Sequence, residues 1–152
     1  MKTTVVDPHK SSLGMEANIA ALLVYVAVIL SWSNFIPFVG WFIGLIAWIA
    51  PIIFFLLEKE STFVKKSALQ AILIGAVWFV FGVILSIISI PFIIAGLNTL
   101  VHILRILMNL VFTVVSGFFA FMAFNYKEIE IPGISPLVDK LFTAIDGAIN
   151  KK

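Results

Sequence analysis

The sequence contains no cysteine, which excludes disulfide bonds, thiolate catalysis and cysteine-based metal sites. Charged side chains are scarce: they make up 12% of the chain, whereas soluble domains carry about 25%. Their distribution is uneven, because residues 17–57 and 67–104 contain no Asp, Glu, Lys or Arg. Two long stretches of the chain therefore lack the side chains that normally cover a water-soluble surface.

Sequence patterns for catalysis are also missing. The chain has no HExxH, GxSxG or phosphate-cradling loop, and its two histidines, His9 and His102, lie far apart in sequence. We therefore predict a protein that is not an enzyme, with no catalytic, cofactor-binding or metal-binding residues. The basic residues are scattered among loops and tails and form no basic face interleaved with aromatic residues, so nucleic acid is not an expected partner.

The chain is rich in apolar side chains, which make up 62% of its 152 residues. A soluble fold of this size must leave much of its surface exposed and cannot hide so many of them. A lipid bilayer solves this problem because it acts as the solvent for the outer face. The composition thus predicts an integral membrane protein whose outer surface contacts the lipid bilayer.

The apolar sequence divides into four candidate membrane-spanning segments, at about residues 17–33, 38–57, 67–90 and 104–126. We predict an all-α membrane protein with four transmembrane helices and a short C-terminal amphipathic helix at 136–149. Residues 1–16 and 127–152 are predicted tails, the former poorly ordered as far as residues 11–12. Residues 91–104 form a connector that is re-entrant, interfacial or part of a helix.

Small residues recur at helical spacing and predict close helix packing. Gly40 and Gly44 form a GxxxG pattern in the second segment, while Gly75 and Gly82 belong to a seven-residue repeat in the third.

The lysines predict the orientation. With four crossings, every basic residue except Arg105 lies on the side of the two tails and of the loop at 58–66. The positive-inside rule then predicts that the protein lies in the cell (inner) membrane with both termini on the cytoplasmic side.

The charged segment between the second and third helices is a candidate contact surface for a partner protein or for anionic lipid. Its polar residues are Glu58, Lys59, Glu60, Lys65, Lys66 and Gln70. The alternative is a solvated turn whose lysines set the topology. For Gln70 we expect a hydrogen bond to the end of the second helix or to Asn18, with pore lining as the alternative.

A second polar set lies along one side of the fourth segment: His102, Arg105, Asn109, Thr113 and Ser116. Asn109, Thr113 and Ser116 predict either a polar path through the membrane or a packing face against the small residues of the third helix. His102 and Arg105 are either functional residues or part of an amphipathic turn at the far side of the membrane. Arg105 is then expected to reach lipid phosphates.

Three stretches resemble one known family: residues 12–25 (SLGMEANIAALLVY), 54–70 (FFLLEKESTFVKKSALQ) and 126–140 (YKEIEIPGISPLVDK). The resemblance is to the Tic-twenty-like group of small bacterial membrane proteins, a domain of unknown function related to a protein-import subunit of the chloroplast inner envelope. It implies four helices with both ends cytoplasmic. The family usually has an aromatic residue and a histidine where this chain has Lys66 and Ser67, so no role of that histidine is carried over.

From these observations we expect a non-enzymatic membrane component or accessory, acting with a membrane-protein partner or as a homo-oligomer in translocation or envelope maintenance. The alternative is a small channel or transporter with a polar path along Asn109, Thr113 and Ser116.

Overall fold

The computed structural model describes residues 2–32, 40–130 and 133–149. Within them, five helices and two short strands follow one another along the chain. In order they are β1 (Lys2–Val5), α1 (Ala17–Trp32), α2 (Gly40–Leu57), α3 (Thr62–Ile94), α4 (Asn98–Phe124), β2 (Lys127–Glu130) and α5 (Ser135–Ile149). The connection between the first two predicted segments, at residues 34–37, lies outside the described residues.

The four apolar helices form a bundle in which consecutive helices run in opposite directions. Asn18, in the first turn of α1, donates to the Phe124 carbonyl at the end of α4, and Gly82 of α3 faces Met108 of α4. By length and composition α3 and α4 can each cross a membrane, whereas the apolar stretches described in α1 and α2 are shorter. The chain is thus predominantly helical, and two of its helices have the dimensions of membrane spans.

Helix α3 is longer than the segment predicted at 67–90. It begins at Thr62 because Ser61 caps it, accepting a hydrogen bond from Val64 N at 3.2 Å. At the other end the helix continues past Pro91 to Ile94. Gly96, at φ +78°, then closes it in a left-handed turn in which Leu97 N donates to the Phe92 carbonyl.

Of the three alternatives for residues 91–104, the structure shows the third, in which they are part of helices. Helix α4 begins at Asn98, so only residues 95–97 separate it from α3. Most of the predicted connector is helical, and it forms the turn of a long α3–α4 hairpin.

The N-terminal segment is also more ordered than predicted. Residues Lys2–Val5 pair antiparallel with Lys127–Glu130, in a register that sets Lys2 opposite Glu130. Adjacent Thr and Val residues favour a strand, and in β2 the buried Ile129 lies between more exposed neighbours. This two-stranded sheet joins the start of the chain to the segment that follows α4.

Burial divides the bundle into two parts. The hydrophobic core is formed by α1, the first half of α3 and the last turns of α4. We call this end, where residues 2–16, 58–61 and 125–149 meet, the base. At the opposite end, which we call the tip (residues 83–107), Ser89 and Val101 are the buried residues in a stretch of exposed apolar side chains.

The surroundings of two of the four predicted packing glycines, Gly75 and Gly82, are described. A Cβ at Gly75 would lie 3.3 Å from Trp48 Nε1, so this glycine allows α2 to pack closely on α3, whereas a Cβ at Gly82 would meet only Met108, at 3.9 Å. For Gly40 and Gly44 the structure describes the helical backbone but not the side chains around them.

Gly75→Leu tests the close contact between α2 and α3. The added side chain must displace the Trp48 indole, so we expect a loss of about 1–3 kcal/mol in the free energy of unfolding, measured by denaturant titration in detergent. Gly82→Ala is the matched control and should leave stability unchanged or slightly higher, since alanine favours the helix. Equal stability of Gly75→Leu and wild type would contradict the contact.

Candidate functional site

The base of the bundle is organised around one buried carboxylate. Glu58, just after α2, is 1% exposed. Its Oε2 accepts a hydrogen bond from the Ser11 hydroxyl. Its Oε1 accepts four more, from Ser12 N at 3.1 Å, Ser12 Oγ at 2.8 Å, Glu60 N at 3.0 Å and Ser61 N at 2.9 Å. Both oxygens of the buried charge are therefore bonded to donors, as a stable buried carboxylate requires.

These donors alter the acidity of Glu58. Burial by itself raises the pKa of the carboxyl, but the hydrogen bonds from Ser11, Ser61 and Ser12 outweigh it and lower the pKa from 4.5 to about 2. Glu58 is thus ionised at neutral pH. Its negative charge also lies at the N-terminus of α3, where the helix dipole favours an anion.

The N-terminal segment supplies most of the other groups at this centre. Gly14, at φ +80°, allows residues 11–15 to turn back so that Ser11 N donates to the Met15 carbonyl at 2.9 Å. His9 Nε2 lies 2.7 Å from Ser61 Oγ, and Lys59 N donates to Ser12 Oγ at 2.9 Å. The segment before α1 is thereby held on the loop between α2 and α3.

Gln70 links three elements. Its Oε1 accepts a hydrogen bond from the Tyr25 hydroxyl of α1 at 2.7 Å, and its Nε2 donates to the Ile129 carbonyl of β2 at 3.2 Å. The predicted partners, the end of α2 or Asn18, are therefore wrong. Asn18 instead donates to the Phe124 carbonyl. Because Gln70 is 7% exposed and bonded at both ends of its amide, it acts in packing.

Lys66 connects α3 to the C-terminal elements. Its Nζ lies 3.2 Å from Glu128 Oε1 of β2 and 3.1 Å from Asp139 Oδ1 of α5. Partial burial by itself lowers the pKa of Lys66, but these two carboxylates outweigh it and raise the pKa above its ordinary value. Together with the burial of Val138, this bridge fixes α5 against the base.

The predicted contact set therefore separates into two groups. Glu58 and Gln70 are buried and Lys66 is paired, so they build the base. Lys59 and Glu60 have exposed side chains, and Lys65 is partly buried. Of the predicted contact residues, Lys59 and Glu60 are the ones most open to a partner.

The polar side of α4 does not form one continuous surface. His102 and Arg105 are exposed at the tip, whereas Asn109 Oδ1 accepts a hydrogen bond from Trp78 Nε1 at 3.0 Å. Ser116 is fully buried, and its hydroxyl has no hydrogen-bond partner among the described residues. The helix thus changes from exposed to packed along its length.

A groove of about 430 Å³ lies between α3 and α4 on the side of Arg105. Gly82 and Ser86 of α3 and Met108 and Asn109 of α4 contribute to its walls. The polar residues of α4 could be predicted from the sequence. The groove could not, because it depends on how the antiparallel helices α3 and α4 are aligned.

Comparisons with protein-family models, curated proteins and solved structures give no match. In residues 2–32, 40–130 and 133–149, no group of three or more His, Cys, Asp or Glu side chains is arranged to hold a metal ion. The base offers a fixed polar surface of mixed charge, which suits binding.

Sequence reasoning assigned Glu58 to the exposed surface and gave Ser11 and Ser12 no role. One signal could have revealed the buried centre. A Glu followed three residues later by Ser61 at a helix start suggests a carboxylate aimed at free backbone N–H groups.

Glu58→Gln tests the centre. An amide lacks the negative charge and the second acceptor oxygen, so we expect a loss of about 2–3 kcal/mol in the free energy of unfolding, measured by denaturant titration in detergent. Glu60→Gln removes an exposed carboxylate two residues away and should change stability little. Equal effects of the two substitutions would contradict the structural role of Glu58.

The pH dependence gives a second test. Because folding lowers the pKa of Glu58 from 4.5 to about 2, its contribution to stability is complete above pH 4.5 and is lost as the pH falls toward 2. We therefore expect wild type to exceed Glu58→Gln in thermal midpoint at pH 6, and this difference to shrink as the pH falls from 4.5. A difference that is the same at pH 6 and pH 3 would contradict the lowered pKa.

Proposed function

We propose that the chain is a non-enzymatic, multi-pass protein of the cell (inner) membrane that crosses the bilayer four times. Both termini lie in the cytoplasm, and the base binds a membrane-protein partner. Its role is that of a component or accessory of a membrane assembly, in translocation or envelope maintenance.

The main support for this proposal is that segments far apart in sequence meet at the base. The N-terminal segment, the loop after α2, β2 and α5 meet at one end, joined by Glu58, Gln70 and Lys66. An even number of crossings accounts for this arrangement, since the chain then begins and ends on one side. The basic residues that the structure describes support the same topology, because among them Arg105 alone lies at the tip.

Helix lengths are compatible with four crossings. At about 1.5 Å per residue, α1 and α2 measure roughly 24 and 27 Å, close to the ~30 Å hydrocarbon core of a bilayer. Helices α3 and α4 exceed that thickness. The two longer helices extend beyond the shorter ones at the tip.

Partner binding is supported by the structure of the base. Lys59 and Glu60 project from a loop whose backbone is fixed through Ser12 and Glu58. Lys140 is exposed on α5 at the same end of the molecule. A rigid surface with charges of both signs loses little conformational entropy on binding and selects partners by charge. The resemblance to the Tic-twenty-like family, with its plastid import relative, is the basis for proposing translocation.

A small channel or transporter is the second candidate. It rests on the polar residues Asn109, Thr113 and Ser116 along one side of α4, and the Ser116 hydroxyl has no hydrogen-bond partner among the described residues. Against it, the side-chain oxygen Oδ1 of Asn109 already accepts a hydrogen bond from Trp78 Nε1, and Ser116 is fully buried.

Site-specific photocrosslinking in native membranes tests the proposal. A photoreactive amino acid at Lys59 should give one discrete, stoichiometric protein adduct, and the same residue at Ile94 of the tip is the matched control. Reporter fusions at the two ends should be active on the same face. Reporters active on opposite faces contradict four crossings, and solute flux in liposomes containing only this protein, without an adduct at Lys59, favours the channel.

A further inference from the structure

The groove between α3 and α4 has a surface that matches an amphiphilic anion. Its apolar part includes Phe79, Val83 and Met108, and Arg105 also contributes to its lining. Ser86 and Asn109 are the other polar residues of the lining, and their side chains already form hydrogen bonds, to the Gly82 carbonyl and to Trp78 Nε1 respectively. The groove therefore combines one cationic side chain with a mainly apolar lining.

The charge of Arg105 needs an anion from outside the chain. Residues 61–127 contain no Asp or Glu, and the acidic residues that occur before and after this stretch belong to the base. A second copy of the chain would present the same Arg105 and no carboxylate at this level, so like charges would meet. A phosphodiester supplies the missing anion, and guanidinium binds phosphate in a paired geometry.

The position of Arg105 along α4 also fits a lipid phosphate. Residues 106–126 are uncharged, and at about 1.5 Å per residue they span roughly 31 Å, the thickness of the hydrocarbon core. With Tyr126 at the cytoplasmic boundary, Arg105 lies at the headgroup level of the opposite leaflet. The groove extends from there along α3 toward Trp78 and Phe79, in the direction taken by an acyl chain.

Gly82 leaves space for such a chain. A Cβ at this position would meet only Met108 Cε, at 3.9 Å, so the absence of a side chain does not serve a tight helix contact. The contrast with Gly75, which lies against Trp48, indicates that Gly82 keeps the groove open.

The geometry points to a binding site for one diacyl phospholipid of the extracytoplasmic leaflet, with its phosphodiester on Arg105 and an acyl chain along Gly82. This inference rests on the proposed membrane arrangement, because it needs Arg105 at the far interface. It adds a specific lipid ligand to a protein whose proposed partner surface is at the other end.

Native mass spectrometry of the full chain tests the site. Dioleoyl phosphatidylglycerol is titrated into delipidated protein in detergent, and the fraction with one bound lipid is measured. Loss of a charge-assisted phosphate contact corresponds to about tenfold weaker binding, which we expect for Arg105→Gln. Gly82→Leu fills the groove and should give a comparable loss. Lys127→Gln removes a basic residue at the base and should leave lipid binding unchanged.

The outcomes separate the alternatives. The site is supported if both groove variants bind the phospholipid more weakly while Lys127→Gln binds it as wild type does. If Gly82→Leu misfolds, Ser86→Leu takes its place. Equal losses in Arg105→Gln and Lys127→Gln, no loss in any variant, or adducts with the mass of inorganic phosphate overturn it. Wild-type protein that retains no phospholipid yet inserts with both termini on one face overturns the lipid site alone, whereas a chain soluble without detergent overturns the membrane arrangement too.

Discussion

The structure depends on the requirement that a buried carboxylate be hydrogen-bonded. Glu58 lies between two apolar helices, where an unpaired charge would cost several kcal/mol, and the backbone N–H groups of Glu60 and Ser61 satisfy one of its oxygens. Ser11 and Ser12 complete the set. The N-terminal segment must therefore fold onto the loop, and from there β1 continues to pair with β2. Through one charge, residues far apart in sequence become one polar surface.

The rest of the molecule follows from the contrast between its two ends. At the base, polar groups bond to one another, as Lys66 does with Glu128 and Asp139, and the small residues of α1 allow close packing. Beyond the base, between it and Arg105, large apolar side chains such as Val114, which is 63% exposed, face outward. Exposure of this kind is stable when lipid is the solvent. This contrast is the basis for the proposal that a protein partner contacts the base and that lipid covers the exposed apolar side chains beyond it.

The helices could be predicted from the sequence because uncharged apolar runs and small-residue spacing are local signals. The start of α3 differed because Ser61 caps the helix before the charged residues end, and its end differed because Pro91 is tolerated within it. Tertiary partners were beyond sequence reasoning. Gln70 was expected to bond, but its partners Tyr25 and Ile129 depend on how α1 and β2 are placed beside α3. The burial of Glu58 was missed because a charged residue in a loop is ordinarily solvated.

Hydrogen–deuterium exchange of wild type and Glu58→Gln, in detergent at neutral pH, tests the central claim most directly. Loss of the charge should release the N-terminal segment, so we predict faster exchange in residues 2–16 and at the amides of Glu60 and Ser61, with protection retained in α4. Unchanged protection of residues 2–16 in the variant would contradict the claim that Glu58 holds this segment in place.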